Sequence, residues 1–259
     1  MTVCHDEPVT YTLMMGDDPI EMNALIGQRI ELSFTGRIEC LNCRQSTRKS
    51  FNQGYCYRCF TTLASCDRCI MSPELCHYSR GTCRDSAWGE ANCIRPHIVY
   101  LANSSGLKVG ITRDTQVPTR WIEQGARVAM PVFEVSTRRD SGLLENGLRT
   151  FVSDRTNWRA MLRGDPPSMD LSEERDKLLS KAASCISVVP DAKHLTDVEP
   201  IILTYPVDNY PAKVQSLIAD KMPVIAGVLQ GIKGQYLILD TGVFNARRHG
   251  GYEVRFAVR

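Results

Sequence analysis

The chain has 259 residues, of which 43% are hydrophobic and 23% are charged. This length exceeds that of an average domain, and the composition is typical of folded protein and excludes a largely disordered chain. No apolar run reaches the roughly 20 residues of a membrane span, and no signal segment is visible, so we expect a cytoplasmic protein without a membrane partner. The formal net charge of +2 neither requires nor excludes a nucleic-acid partner.

The N-terminal segment, residues 1–36, includes the stretch "YTLMMGD" and most of "GQRIELSFTGRIE", both typical of β-strands. Both are rich in β-branched and aromatic residues and are bounded by turn-forming residues. We predict an N-terminal β segment and consider it a candidate to complete a sheet formed by the end of the chain.

Residues 37–95 hold nine of the eleven cysteines. Two Cys-x-x-Cys pairs, Cys40 with Cys43 and Cys56 with Cys59, enclose twelve residues. In a reducing compartment such pairs bind metal more often than they form disulfides, and two of them can close a tetrahedral thiolate site. The spacing therefore predicts a structural zinc ion, because four thiolates leave no open position for catalysis.

The remaining cysteines of this module predict a second structural zinc site. The pair Cys66 and Cys69 is followed by Cys76 and Cys83, which together supply four thiols. The last two ligands stay open at this point. The alternatives are Cys93, His77 and His97.

The cysteine module is also locally basic and aromatic. Between Arg37 and Arg95 there are nine basic and five acidic side chains. The interleaved aromatic residues are Phe51, Tyr55, Tyr57, Phe60, Tyr78 and Trp88. These side chains either hold phosphates and stack on bases or form the small core that such a module needs. A module that binds a protein partner is a further alternative.

Residues 96–164 predict the element order β-β-α-β-α. The stretch "HIVYLANSSGLKVGITR" is a β-hairpin with a turn at "NSSG". "QVPTRWIEQG" predicts a helix that ends at Gly125, and "ARVAMPVFEVS" predicts a strand whose proline suits a sheet edge. "RRDSGLLENGLRTFV" has apolar residues at helical spacing and predicts the second helix.

This segment resembles the GIY-YIG nuclease superfamily. The stretch Ile98–Val99–Tyr100 stands where the first motif belongs, and Lys108–Val109–Gly110 stands where the second belongs. Ile98 replaces the first glycine, and Lys108 replaces the tyrosine of the second motif, as in phage-type branches. The cysteine cluster followed by this hairpin also resembles a bacterial family that joins the two units, a resemblance that implies no activity.

The resemblance implies a site for phosphodiester hydrolysis. Arg120 matches the catalytic arginine, and Glu145 matches the carboxylate that holds Mg²⁺ or Mn²⁺. Tyr100 would deprotonate or position water, and Lys108 would give a second positive contact. Asn157 occupies the place of the polar residue that often follows the second helix. The implied site residues are Tyr100, Lys108, Gly110, Arg120, Glu145 and Asn157.

The last third of the chain predicts a connector and a β-rich unit. Residues 165–198 form a linker with a surface helix that begins with an Asp-x-x-Glu pattern at Asp170. Residues 199–259 alternate β-formers with glycines and predict a small barrel-like sheet, with one helix at "PAKVQSLIADK". "RRHGGYEVR", with Arg247, Arg248, His249 and Arg255, would give this unit a basic edge for oligonucleotides, or the unit is only a support.

These predictions combine into an α+β protein with an N-terminal zinc-knuckle module, a central GIY-YIG-like ββαβα domain and a C-terminal β-rich, small barrel-like unit. The leading hypothesis is a nucleic-acid-binding zinc protein, either a metal-dependent endonuclease or its non-cleaving descendant. The alternative is a zinc-dependent protein-interaction module without enzymatic activity.

Overall fold

The computed structural model describes residues 1–259, which form a mixed α+β fold with three β-sheets. The strands are β1 (Thr2–Cys4), β2 (Thr10–Met15), β3 (Asp18–Glu21), β4 (Arg29–Glu39), β5 (Ser46–Thr47), β6 (His97–Asn103), β7 (Leu107–Arg113), β8 (Val128–Val135), β9 (Lys193–His194), β10 (Ile201–Ile202), β11 (Ser216–Leu217), β12 (Val224–Lys233), β13 (Tyr236–Leu239), β14 (Gly242–Asn245) and β15 (Tyr252–Val258). The helices are α1 (Tyr57–Thr62), α2 (Ser86–Cys93), α3 (Thr119–Glu123), α4 (Arg138–Leu148), α5 (Trp158–Met161), α6 (Leu171–Lys181) and α7 (Ala183–Ile186). None of the helices combines the length and the apolarity needed to cross a membrane.

The largest sheet joins the two ends of the chain. Its seven strands run in the order β11–β14–β13–β12–β4–β15, with β5 added beside β4. The sheet is curled into a half-barrel. β4 lies between β12 and β15, and Leu32 is paired with Ile225 on one side and with Phe256 on the other. The N-terminal segment therefore does complete the C-terminal sheet, while β1, β2 and β3 form a small sheet of their own.

The central sheet is built on strand β6, which is buried along its whole length. The strands run in the order β10–β8–β6–β7, and β6 and β7 form the predicted hairpin, in which Asn103 pairs with Leu107 across the turn. Successive side chains of a strand point to opposite faces, so β6 contributes to two cores. Tyr100 packs with Trp121 in a cluster shared with the half-barrel, and Leu101 packs with Leu144 of α4 in a second cluster.

The elements of residues 97–148 follow the predicted order β6, β7, α3, β8, α4. The prediction that Pro131 suits a sheet edge is wrong, because β8 has neighbours on both sides. Pro131 is instead opposite Tyr100, next to a register shift at Val99 and Tyr100. A bulge of this kind interrupts the ladder and accommodates a residue that has no N–H to donate.

Two expectations for the last third of the chain are corrected by the packing. The segment "PAKVQSLIADK" is not a helix, since Ser216–Leu217 pairs with β14 as a short parallel strand. Helix α6 begins at the predicted Asp170 cap, but it is more than a surface connector. Its residues Leu171 and Leu178 are buried in the second core.

The cysteine region is docked on helix α4. Between α1 and α2 the chain forms a series of short 3-10 turns rather than longer helices. Gly142 of α4 lies so close to Pro73 and the backbone of Glu74 that no side chain would fit at residue 142. The Arg138 guanidinium donates to the carbonyl oxygen of Ile70 at 2.8 Å. These contacts fix the cysteine region beside the central sheet and leave a cleft between them.

Candidate metal sites and a basic cleft

The first two Cys-x-x-Cys pairs form one cluster of thiols. The ligand atoms of Cys40, Cys43, Cys56 and Cys59 all lie within 4.8 Å of one another. The Sγ atoms of Cys43 and Cys56 are 3.8 Å apart. Cys40 is at the end of β4 and Cys59 is in α1, so regular structure positions both pairs. The four cysteines could hold a metal ion, as the spacing predicts.

The electrostatics of this cluster suit a divalent cation. Burial opposes ionisation of Cys40, but backbone hydrogen bonds from Cys43, Cys56 and Asn42 outweigh it and lower its pKa to about 6. Asn42 donates to Cys59 Sγ at 3.4 Å, yet burial and the neighbouring sulfurs raise the pKa of Cys59 to about 12. The Cys40 thiol therefore ionises readily, whereas the Cys59 thiol resists ionisation next to the other sulfurs. A divalent cation that neutralises the four thiolates fits this donor set.

The second predicted set of ligands is only partly brought together. Cys69, Cys76 and Cys93 pack in a buried cluster with Tyr78 and Trp88 at its edge. The ligand atoms of Asp67, Cys69 and His77 lie within 4.8 Å of one another.

Three other candidates for this site have different partners. The Sγ atom of Cys66 is near Asn52 Nδ2, at 3.5 Å, and that of Cys83 is 3.2 Å from the carbonyl oxygen of Asp85. His97 is fully buried in β6, and its Nδ1 is 2.8 Å from the carbonyl oxygen of Arg95. Cys69 therefore lies with Cys76 of the predicted set and with two of the stated alternatives, Cys93 and His77.

Beneath the cleft, one glutamine joins two of the predicted site residues. The hydroxyl of Tyr100 donates to Gln124 Oε1 at 2.9 Å, and Lys108 Nζ donates to the same oxygen. Lys108 Nζ is also 3.4 Å from Thr156 Oγ1. Tyr100 has no exposed surface, and burial raises its pKa well above the ordinary value. The Tyr100 hydroxyl thus orients Gln124 from beneath the cleft, next to the charges of Arg120 and Glu145.

A polar cleft of about 810 Å³ lies between the central sheet and the cysteine region. Only five of its 28 lining residues are hydrophobic. Seven of the lining residues are Lys or Arg and four are Asp or Glu, so the cleft is positively charged. The seven basic residues are Lys108, Arg113, Arg120, Arg138, Arg149, Arg155 and Arg247. Four of the six predicted site residues line it together: Lys108, Gly110, Arg120 and Glu145.

Two titratable side chains in the cleft have strongly shifted pKa values. Burial, followed by the charge of Arg120, lowers the pKa of Lys108 to about 8. Burial, followed by the charge of Asp154, raises the pKa of Glu145 to about 7. The Glu145 carboxylate has no hydrogen-bond or ion-pair partner, whereas the Asp154 carboxylate is paired with Arg149 at 3.5 Å. An unpaired, half-buried carboxylate beside a second one fits a hard cation such as Mg²⁺ or Mn²⁺.

Arg120 belongs to a network that crosses the cleft. Its Nη1 atom is 3.6 Å from Glu123 Oε2, and Arg247 Nη1 is 2.9 Å from the same oxygen. The Nε atom of Arg247 donates to Gln53 Oε1 at 2.8 Å. Gln53 lies between the two Cys-x-x-Cys pairs. The network therefore links helix α3, the C-terminal unit and the first cysteine cluster.

Other predicted residues lie outside the cleft. The Asn157 side chain accepts from the N–H of Ala160 at 3.1 Å and is the N-cap of α5. The expected basic edge of the C-terminal unit is dispersed: Arg247 enters the cleft, but His249 is buried and stacked on Phe244 with ring centroids 4.4 Å apart. None of the nine basic residues between Arg37 and Arg95 lines the cleft.

Several residues in or beside the cleft are not predicted from the sequence. Gln124 and Thr156 contact Lys108, and neither belongs to a motif. Arg149 and Arg155 follow helix α4 and line the cleft. The one signal was the helical spacing from Glu145 to Arg149, which places both on the same face of α4. Arg247 is predicted as part of the basic edge of the C-terminal unit, but its place in the cleft is not, because it is remote in sequence from the other cleft residues.

The family comparison adds one relationship. Residues 27–254 match the model of a family described as "Protein of unknown function (DUF2797)". None of the curated proteins and none of the solved structures compared with the chain matches it. The family match spans the half-barrel, the cysteine region and the central sheet, and the chain therefore belongs to the DUF2797 family.

Proposed function

We propose that the chain binds nucleic acid in the basic cleft and that residues 96–164 act there as a GIY-YIG-like phosphodiester-cleaving unit. The observation that carries the proposal is the convergence of seven basic side chains with Lys108, Arg120 and Glu145 in one cleft. Phosphates are bound by Lys and Arg through charge, and their neutralisation supplies much of the affinity for nucleic acid. A guanidinium such as that of Arg120 can donate two parallel hydrogen bonds to one phosphate.

The cleft residues have distinct roles in this proposal. Glu145 would hold Mg²⁺ or Mn²⁺, an ion that polarises a phosphoryl oxygen and offsets the charge that develops in hydrolysis. Arg120, held by Glu123, binds the phosphate. Lys108, held by Gln124, has its pKa lowered by burial to about 8 and can move a proton in the place of the tyrosine of the second motif. Tyr100 positions Gln124 and takes no part in proton transfer, which revises its expected role.

The metal sites have a structural role in the proposal. Zinc at Cys40, Cys43, Cys56 and Cys59 fixes the loop that carries Gln53, and thereby the network to Arg120. A second zinc ion would be held around Cys69, with Cys76, Cys93 and His77 as the nearest donors. Both zinc ions would stabilise the cysteine region, which forms the wall of the cleft that faces the central sheet. We place the protein in the cytoplasm, where thiols stay reduced.

The proposal is tested by binding and cleavage with matched charge variants. Single- and double-stranded DNA and RNA are titrated across a salt series, with and without Mg²⁺ or Mn²⁺. We expect Arg149→Ala to weaken binding and to make the salt dependence shallower, because one phosphate contact is lost. Arg175→Ala, on helix α6 away from the cleft, is the control. Glu145→Gln should abolish metal-dependent cleavage while binding remains.

The outcomes distinguish three hypotheses: a nuclease, a nucleic-acid-binding protein that does not cleave, and a protein-interaction module. Binding without cleavage on any substrate would reject the nuclease and retain a nucleic-acid-binding protein. A complete lack of salt-sensitive binding at low salt would reject both and favour the protein-interaction module. That alternative has support in Met71 and Tyr57, which are 81% and 64% exposed on the cysteine region.

A further inference from the structure

The two walls of the cleft differ in their chemistry. All seven basic residues of the lining come from the segment 108–155 and from Arg247. The cysteine region, residues 37–95, contributes eleven lining residues, and none of them is Lys or Arg. One wall is therefore basic, whereas the cysteine-region wall has a single charged lining residue, the acidic Glu74.

The cysteine-region wall carries flat and polarisable side chains. Tyr55 and Trp88 line the cleft and are half-buried, so both retain exposed surface there. Met71 lines the same wall and is 81% exposed. Asn92 supports this wall, since its amide donates to the carbonyl oxygen of Trp88 at 2.8 Å and accepts from Arg113 Nη1 at 2.7 Å. Aromatic rings stack on bases of any sequence.

This asymmetry distinguishes a single strand from a duplex. A duplex carries phosphates along both of its edges and keeps its bases stacked inside, so a cleft that grips it by phosphates needs positive charge on both walls. A single strand presents its phosphates along one edge and its bases along the other. We infer that the cleft takes single-stranded nucleic acid, with phosphates on the basic wall and bases stacked on Tyr55 and Trp88. This inference rests on the proposed function.

The wall that would receive the bases is held at a fixed distance from the basic wall. Asn52 and Gln53 adopt left-handed backbone conformations, with φ of 43° and 63°. The Asn52 amide donates to Cys66 Sγ at 3.5 Å, and Gln53 accepts from Arg247 at 2.8 Å. Residues other than glycine adopt such backbone angles only where their surroundings impose them. The Tyr55 ring is thus part of an ordered loop whose position is set before a ligand binds.

The test separates bases from phosphates. Labelled single-stranded DNA and RNA are titrated beside an abasic DNA strand of the same length and beside the matching duplex. The abasic strand keeps every phosphate and removes every stacking surface. We expect the intact strands to bind more tightly than the duplex, and the abasic strand to bind about fivefold or more weakly for each stacked base that is lost.

Matched variants locate the stacking surface. Tyr55→Ala and Trp88→Ala should weaken binding of intact strands and leave binding of the abasic strand unchanged, a readout that a partly unfolded variant would not give. Tyr57→Ala is the control, since this exposed aromatic residue of the same region does not line the cleft. Equal affinity for intact and abasic strands, or tighter binding of the duplex, would overturn the single-strand inference and leave the phosphate-binding cleft standing. If none of the four ligands binds, the proposed function itself is wrong.

Discussion

Gly110 lies opposite Tyr100 in the β6–β7 hairpin, so close that a Cβ at residue 110 would be 2.7 Å from the Tyr100 ring and hydroxyl. The missing side chain leaves the space in which the ring lies flat across the neighbouring strand. From this position the hydroxyl reaches Gln124, and Gln124 in turn holds Lys108. The glycine and the tyrosine thus act together to position the lysine of the cleft.

The first prediction concerns this close approach. Gly110→Ala should lower the free energy of unfolding by about 1–3 kcal/mol, because the added methyl group displaces a fully buried ring. Denaturant unfolding measures the change. In a Tyr100→Leu background the same substitution should cost less, since the conflicting ring is absent. An equal cost in both backgrounds would show that the two residues do not conflict.

The second prediction separates positioning from catalysis. Tyr100→Phe removes one hydrogen bond to Gln124, and we expect a loss of about 1 kcal/mol in the free energy of unfolding. Nucleic-acid affinity should stay within about twofold of the wild-type value, because the hydroxyl is buried and Lys108 keeps its bond to Gln124. Any cleavage activity should fall modestly, and a complete loss with an unchanged fold would return Tyr100 to a chemical role.

The third prediction concerns metal content. Protein purified under reducing conditions should carry about two zinc ions per chain, and Cys59→Ser should lose one of them. The melting temperature should fall in the variant and after treatment with a chelator, because metal binding contributes directly to folding. Cys185→Ser, outside the cysteine region, is the control and should change neither quantity. Metal-free wild-type protein with an unchanged melting temperature would contradict the prediction.

The fourth prediction is a pH dependence of stability due to Glu145. Its pKa is about 7 in the folded protein and near 4.5 in the unfolded chain. Between these values the folded state binds more protons, so this group's contribution to stability is present below pH 4.5 and is lost as the pH rises towards 7. Unfolding free energies of wild type and Glu145→Gln, measured without added Mg²⁺ or Mn²⁺, should converge at low pH. The wild type should lose stability relative to the variant as the pH rises.

A control variant sharpens this comparison. Glu253→Gln changes an exposed carboxylate on β15, far from the cleft. The difference in unfolding free energy between Glu253→Gln and the wild type should not show the pH dependence expected for Glu145→Gln. Added Mg²⁺ or Mn²⁺ should reduce the pH dependence of the wild type and leave that of Glu145→Gln unchanged, because a bound cation favours the carboxylate form. An identical response in both proteins would argue against a cation at Glu145.

Local patterns predicted much of the fold. The alternation along β6 and β7 and the turn at residues 103–106 were sufficient for the hairpin, and the apolar spacing of Leu144 and Leu148 was sufficient for α4. The segment at Leu217 was predicted as a helix because its apolar residues have helical spacing. Leu217 instead pairs with Phe244, and this pairing makes the segment a strand. The two residues are far apart in sequence, so the residues around Leu217 carry no signal of the pairing.

The candidate site was likewise predictable only where it depends on residues that are close together in the sequence. Cys40, Cys43, Cys56 and Cys59 are recognisable because their spacing is short and chemically constrained. For Cys69 the spacing names the possible partners, including Cys76, Cys93 and His77, but does not choose among them, because the choice depends on how the short turns between α1 and α2 fold. The shared pairing of Arg247 and Arg120 with Glu123 has no signal in the local sequence, because it depends on β4 carrying the C-terminal sheet back to the cysteine region.

The central claim is that nucleic acid occupies the cleft between the basic wall and the cysteine region. The most direct measurement is photo-crosslinking of a single strand that carries photoreactive bases, followed by identification of the modified residues. The account predicts adducts on residues 52–92, above all at Tyr55 and Trp88, and protection of Arg149 and Arg155 from modification by arginine reagents. Adducts confined to β15 or to helix α6, with the cleft arginines still reactive, would contradict it.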